Sequence, residues 1–244
     1  MDSEDHEDHD EEDTSDVLAS SNSSSPSSSS SSSSSSTTTT DRPAPGEAYN
    51  PGPATSPRRA ATVILLRGGT ETLEVLLVRR TPEAKFMGGV WVFPGGAVDA
   101  GDGDGDDGVR AAATRELREE AAITLAEPGE LVAFSRWITP AEVKIRFDTH
   151  FFLAPLPHGQ EPRIDGQECV DLGWFTPRAA LDAHAAGSIV LVFPTIAHLQ
   201  QLVPFASVAA LLAHARDVKV EPVLPKVVVE GDSARVLMPG DPDY

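Results

Sequence analysis

From residue 60 onward the chain is a succession of short apolar runs separated by glycine, proline and charged clusters. Residues 60–67 and 73–80 are rich in Val, Leu and Ile and are joined through Gly68-Gly69-Thr70, which predicts two strands around a tight turn. A turn region at 81–89 leads into a third apolar run that stops at Pro94. Residues 131–138, 147–156 and 169–175 read as further strands, the last one halted by Thr176-Pro177. The strongest helical signal covers 109–123, with Asp102, Asp104, Asp106 and Asp107 placed before its positive N-terminal end. A second helix is predicted at 177–186, with Pro at its start and Gly187 at its end. Helices at 194–202 and 207–216 follow, and the proline-rich remainder holds two small β-like runs, 227–230 and 235–238. Strands and helices mix without regular βαβ alternation, so the class expected is α/β, a mixed sheet flanked by helices.

Composition changes this picture mainly at the N-terminus. Residues 1–16 hold ten of the 38 acidic residues and no Lys or Arg, so more than half of the net charge of −19 sits there. Residues 20–40 are almost entirely serine and threonine. Such a segment buries too little apolar surface to offset ordering entropy, so an acidic, Ser/Thr-rich tail over 1–56 is expected to be disordered. His6 and His9 within it read as part of a solvated charged face. An acidic chain argues against nucleic acid or an anionic membrane as principal partner. No apolar run reaches membrane-spanning length, and the N-terminus lacks the basic and apolar regions of a signal peptide. The single cysteine, Cys169, excludes a disulfide framework and a multi-cysteine zinc site. Together these features predict a soluble cytoplasmic protein of unspecified oligomeric state.

The chemistry lies in the long helix and the glycines before it. Glu116, Glu119 and Glu120 stand at i, i+3 and i+4, so their carboxylates share one side of the helix. Like charges at that spacing repel, but they become favourable around hard divalent cations such as Mg²⁺ or Mn²⁺. Upstream, Pro94-Gly95-Gly96 allows a backbone carbonyl to approach the same ion. A solvent-facing helix with Arg115 and Arg118 paired to its acids is the plainer reading, and the glycine turn is what disfavours it.

In these residues the chain resembles the Nudix hydrolase family, whose pattern is Gly, five residues, Glu, seven residues, then Arg-Glu-apolar-x-Glu-Glu-x-Gly-apolar. Gly96, Arg115, Glu116, Leu117, Glu119, Glu120 and Ile123 match. Asp102 replaces the first glutamate, and twelve residues rather than seven separate it from Arg115, which reads as a flexible loop insertion over 103–107. Ala122 replaces the closing glycine. A left-handed alanine costs about 1 kcal/mol, so the helix is expected to run on toward Thr124.

The resemblance implies an α/β/α sandwich over 57–200, leaving 201–244 as a C-terminal extension packed on the domain. It further implies a Mg²⁺- or Mn²⁺-dependent enzyme that cleaves a diphosphate linkage in a small nucleoside diphosphate derivative. Gly96, Glu116, Glu119 and Glu120 would be the metal ligands, with Arg115 orienting a glutamate by salt bridge. A further distal glutamate, as ligand or base, is expected at Glu168, with Glu161, Asp165 and Asp171 as rivals. Leu76, Leu77, Arg80, Thr81, Lys85, Gly89 and Phe93-Pro94-Gly95-Gly96 resemble the signature found in coenzyme A diphosphatases, with Val78, Thr81 and Lys85 as departures. On that resemblance Arg79, Arg80 and Lys85 would meet phosphates of coenzyme A or an acyl-CoA. The alternatives are a hydrolase of ADP-ribose, NADH or dinucleoside polyphosphates, and a catalytically silent nucleotide-sensing module.

Other motifs carry less. An EF-hand starting at Asp102 needs Gly and Glu where Asp107 and Ala113 stand, so a mobile surface loop is the better expectation. Trp137 is expected in the core rather than stacked on a base. Neither a phosphate-cradling Gly-x-x-x-x-Gly-Lys-Ser/Thr run nor a Gly-x-Ser-x-Gly elbow occurs.

Overall fold

A computed structural model describes residues 50–244 apart from 51, 85–86, 128–129 and 231–232. Strand β1 (Arg58–Arg67) divides the protein into two cores by simple alternation. Ala61, Val63 and Leu65 point to one face and pack with Val109, Ala112, Leu117 and Ala121 of helix α1 (Gly105–Ala121). Ile64 and Leu66 point to the other face, which is covered by α2 (Pro177–Ala185), α3 (Phe193–Leu202) and α4 (Val208–Asp217). The result is an α/β class fold, a mixed sheet between helical layers, as the apolar pattern predicts. Among the described residues no helix is long and apolar enough to cross a membrane.

The sheet forks beside β1. Along its whole length β1 pairs in parallel with β6 (Phe147–Pro155), which in turn pairs with β5 (Val132–Ile138). On its other side β1 meets β2 (Glu74–Arg80) only at Leu66–Val75 and Arg67–Glu74. The rest of that edge is taken by β4 (Gly95–Ala97), which sets Ala60, Ala61 and Thr62 opposite Ala97, Gly96 and Gly95. β2 diverges to pair with β3 (Trp91–Val92) and β7 (Cys169–Phe175). β3 and β4 are too short to show a period, so the sequence pattern shows only an apolar run ending at proline.

Two expectations for α1 are overturned. Residues 105–107 are not a loop: the helix begins at Gly105, with Asp104 as its N-cap residue. Asp106 and Asp107 occupy the first turn, where the helix dipole favours negative charge, and Gly108 donates to Asp104 O at 3.1 Å. The helix also does not run on to Thr124. Ala122 takes the left-handed conformation (φ 55°, ψ 27°), and its amide bonds to Arg118 O. Ile123, fully buried against the α1 core, and two hydrogen bonds between Thr124 and Gln160 offset the cost of that conformation.

The C-terminal residues are tied to the sheet. Leu211, Leu212 and Ala215 of α4 join the core, and β8 (Pro222–Val223) pairs in parallel with Arg136 and Trp137. A hairpin of β9 (Lys226–Glu230) and β10 (Ser233–Leu237) follows.

Of the expected tail, residues 1–49 lie outside the described residues, whereas its last residues touch the domain. Asn50 N donates to Glu142 O at 2.7 Å, Thr55 Oγ1 to Lys144 O at 3.2 Å, and Arg146 to Thr55 O. The boundary drawn at residue 56 therefore falls inside an anchored segment. A chain starting at residue 57 is expected to be about 1.5–4.5 kcal/mol less stable than one starting at residue 50, at about 0.5–1.5 kcal/mol for each of the three lost hydrogen bonds. Denaturant melts of the two truncations check this, and coincident curves would count against the anchor.

Candidate active site

The site lies at the fork, where the helical repeat of α1 sorts its three glutamates by depth. Glu120 is 2% exposed and the Glu116 side chain 12%, while Glu119 is half-exposed and turned to Arg115 and Arg118. Both buried carboxylates lean on β4. Gly95 N donates to Glu120 Oε2 at 2.8 Å. Gly96 lies so near Glu116 that a Cβ there would sit 2.3 Å from Glu116 Oε1, and a Cβ on Gly95 would sit 2.5 Å from Ala61 O. A side chain on Gly95 would strike the backbone of β1, so glycine lets β4 pair there, and a side chain on Gly96 would push the Glu116 carboxylate aside.

Arg115 braces this arrangement from the side. Its Nε and Nη2 donate to the two oxygens of Asp102 at 2.9 and 2.8 Å. Nη1 reaches Glu116 at 2.8 Å and Glu119 at 3.1 Å, and Nη2 also reaches Ala97 O at 3.0 Å. Asp102 thus fills the bidentate place beside the arginine despite its shorter side chain, because a 3₁₀ turn at Ala100–Asp102 carries it inward. Hydrogen bonding to Arg115 holds the Asp102 carboxyl below its usual range, and the same contacts hold the guanidinium firmly charged.

Arg80, at the end of β2, brings its Nη1 to 3.6 Å from Glu120 Oε1, too far for a hydrogen bond. Glu120 Oε1 and Arg80 Nε are both buried without a hydrogen-bond partner. Cys169 faces Arg80 across the β2–β7 ladder. Burial, reinforced by the charge of Glu120, pushes its thiol up, so it stays protonated. The spacing of motifs gives no sign of this neighbour, since the β2–β7 ladder is what delivers it.

Glu168 is exposed on the approach to β7, held by Thr81 N to its carbonyl (2.8 Å) and by its own amide to Asp165 Oδ2 (2.9 Å). It lines one cavity with Arg80, Gly95, Gly96 and Glu116. Asp165 is a loop builder, accepting from the amides of Glu168 and Cys169, and Asp171 accepts from Leu172 N. Arg79, next to Arg80 on the strand, is not among the lining residues, and Lys85 lies outside the described residues. Trp137 is 5% exposed within the core and also lines the cavity.

Burial pushes the Glu120 carboxyl up to about 7, opposed by the Gly95 amide and reinforced by Glu116. Burial also raises Glu116, against the pull of Arg115. A raised carboxyl binds its proton more tightly in the folded state. Metal-free protein should therefore lose stability as pH rises from about 4.5 to about 7, by on the order of 3 kcal/mol from Glu120. Denaturant melts of wild type and E120Q in a chelator test this, and the two should share the same pH slope only if Glu120 is not the source.

The donor set fits a divalent cation. Glu116, Glu120 and the Gly96 carbonyl offer hard oxygen donors, and Glu120 Oε1, buried without a hydrogen bond and 3.6 Å from the Arg80 guanidinium, is an acceptor that a cation would fill. Among the described residues no three carboxylate, imidazole or thiol groups already form a closed cage, since Arg115 and Arg118 draw Glu119 aside.

The site is a carboxylate helix set against a glycine strand at the fork of a mixed sheet, with oxygen donors that suit a divalent cation. Residues 56–192 match the NUDIX domain, and the chain belongs to that family. Over 187 residues it is 31% identical to the putative nudix hydrolase 7 of Caenorhabditis elegans, a match that spans 62% of each chain. It also resembles the crystal structure of a NUDIX hydrolase from Alicyclobacillus acidocaldarius, with 28% identity and a TM-score of 0.60, covering 65% of this chain and 96% of that one.

Proposed function

We propose that the protein hydrolyses a diphosphate linkage in a nucleoside diphosphate derivative, with Mg²⁺ or Mn²⁺ as cofactor. The observation that carries this reading is the pair of carboxylates, buried Glu120 and part-buried Glu116, gathered beside Gly96 with Glu120 Oε1 making no hydrogen bond. Glu116, Glu120 and the Gly96 carbonyl would hold the cation, with Glu119 as the outermost ligand. Divalent ions bound there would neutralise the diphosphate and lower the pKa of a bound water for in-line attack at phosphorus. Arg115 holds Glu116 and Glu119 in place. Glu168, on the open side of the cavity, is the group to accept the proton from the attacking water. Arg80 supplies a fixed positive charge beside the phosphates. The lone thiol, buried and protonated, suits a reducing compartment such as the cytoplasm.

The substrate class favoured by the pattern from Leu76 to Gly96 is coenzyme A or an acyl-CoA, giving adenosine 3′,5′-bisphosphate and a 4′-phosphopantetheine product. The test is a comparison of coenzyme A with dephospho-coenzyme A in the presence of Mg²⁺. A charge-assisted hydrogen bond to the 3′-phosphate, worth roughly 1.5–3 kcal/mol, predicts about a tenfold to hundredfold preference in kcat/KM for coenzyme A. Equal rates, or faster cleavage of ADP-ribose, NADH or a dinucleoside polyphosphate, would move the substrate and leave the chemistry standing.

A further inference from the structure

The cavity that opens from Glu116 and Gly96 is divided in character. It has a volume of about 540 Å³, and its charged lining residues are Arg58, Arg80, Glu116 and Glu168. Beyond the carboxylates it spreads over the sheet face that carries Phe151, Phe147 and Trp137, with Phe193 of α3 beside them. No Asn, Gln, Asp, Lys or His is among the described residues that line it. The remaining polar side chains are the hydroxyls of Thr62, Thr139, Thr149 and Thr195 and the indole of Trp137, and the apolar residues that outnumber them give hydrocarbon the larger share of the wall.

Part of that wall comes from outside the family match, which ends at residue 192. Val227 of β9 and Val236 of β10 line the same cavity as the carboxylates. One buried side chain of the hairpin, Leu237, and contacts with the last residues of the chain hold it in shape. Leu237 is 3% exposed, and Tyr244 Oη donates to Leu224 O at 2.7 Å. Lys226 Nζ lies 4.0 Å from the Tyr244 ring centroid, and Arg235 pairs with Asp243 at 3.2 Å.

We infer that the C-terminal hairpin is a specificity element, walling an apolar cavity that accepts an extended, uncharged acyl-type substituent on the diphosphate substrate. This rests on the proposed hydrolysis, and it assigns the preference between free and acylated substrate to Val227 and Val236. Continuity of the apolar wall with the carboxylate site is the reason to seat part of the substrate there rather than a separate partner.

The experiment uses the full chain with Mg²⁺ and two substrates that differ only in one chain, coenzyme A and octanoyl-coenzyme A. Each buried methylene strengthens binding roughly fourfold, so octanoyl-coenzyme A should exceed coenzyme A in kcat/KM by at least about a hundredfold. V227D and V236D should each remove about tenfold or more from the octanoyl substrate and lower coenzyme A by a clearly smaller factor. Where an aspartate variant melts early, V236T keeps the shape of the side chain and should still lose several-fold on the octanoyl substrate alone. Equal kcat/KM for the two substrates in wild type, or variants that lower both alike, would overturn the inference. So would a dinucleotide preferred over the acylated substrate, because it would give the cavity to a base. Should no diphosphate be turned over at all, the proposed function fails, and binding of 1-anilinonaphthalene-8-sulfonate reads the cavity independently. Probe binding lost in V236D would support the apolar wall, and equal or absent binding in both proteins would refute it.

Discussion

Replacing Glu120 by Gln is expected to lower kcat by about three orders of magnitude while leaving the fold intact, and E116Q should behave alike. Loss of one preorganised charged group in a water-poor site typically costs roughly 10²–10³ in rate. The glutamine side chain keeps an oxygen for the Gly95 amide, so the contact between α1 and β4 survives. It also removes a carboxyl that burial makes costly to ionise. Metal-free E120Q should therefore melt no lower than wild type at pH 8, a signature that a merely structural glutamate would not give. E119Q should lose activity comparably if Glu119 completes the ligand set, although it is half-exposed and paired with arginine. Turnover surviving in all three variants, with unchanged Mg²⁺ dependence, would remove the metal assignment.

The second large effect falls on stability. R115A strips the bidentate partner from Asp102, whose side chain is only 6% exposed, and the nearest cation from Glu116. Removing one member of a buried ionic cluster costs about 3–5 kcal/mol, because the remaining charges stay buried and unpaired. For a domain of this size that corresponds to a fall in Tm of roughly 6–20 °C. R115K should recover only part of it, since an ammonium cannot grip both Asp102 oxygens in one plane. D102A placed on top of R115A should restore stability relative to R115A alone, as it deletes the orphaned charge. A melt of R115A within about 1 kcal/mol of wild type would show that solvent, not the arginine, satisfies these carboxylates.

Much of the fold is legible in local pattern, and the reasons differ by element. Strand β7 spans the same residues, Cys169–Phe175, that the apolar run and the following Thr-Pro stop predict. β1, β2, β5 and β6 differ from expectation by a residue or two, because each is long enough for its β-branched run to stand out. The fork is not legible. It depends on which strand wins the edge of β1, a competition between Leu66–Val75 pairing and Thr62–Gly95 pairing that no window of sequence contains. The site divides in the same way. The helical period groups Glu116, Glu119 and Glu120, but only packing against β4 buries Glu116 and Glu120 and leaves Glu119 outside. Arg80 and Cys169 come to Glu120 through the β2–β7 ladder, a long-range pairing. Ala122 shows the opposite error, a correct local cost outweighed by the burial of its neighbour Ile123.

The alternation along β1 has an evolutionary consequence. The residues that pack the carboxylate helix, Ala61, Val63 and Leu65, never touch the surface that Thr62, Ala60 and Arg58 offer to the cavity. The glycines of β4 and Glu116 of the helix belong to both sides. Mutations on the cavity side can therefore drift, retuning which molecule is held, without disturbing the helix on the far side. The architecture lets the cavity wall be revised while the carboxylate helix keeps its packing.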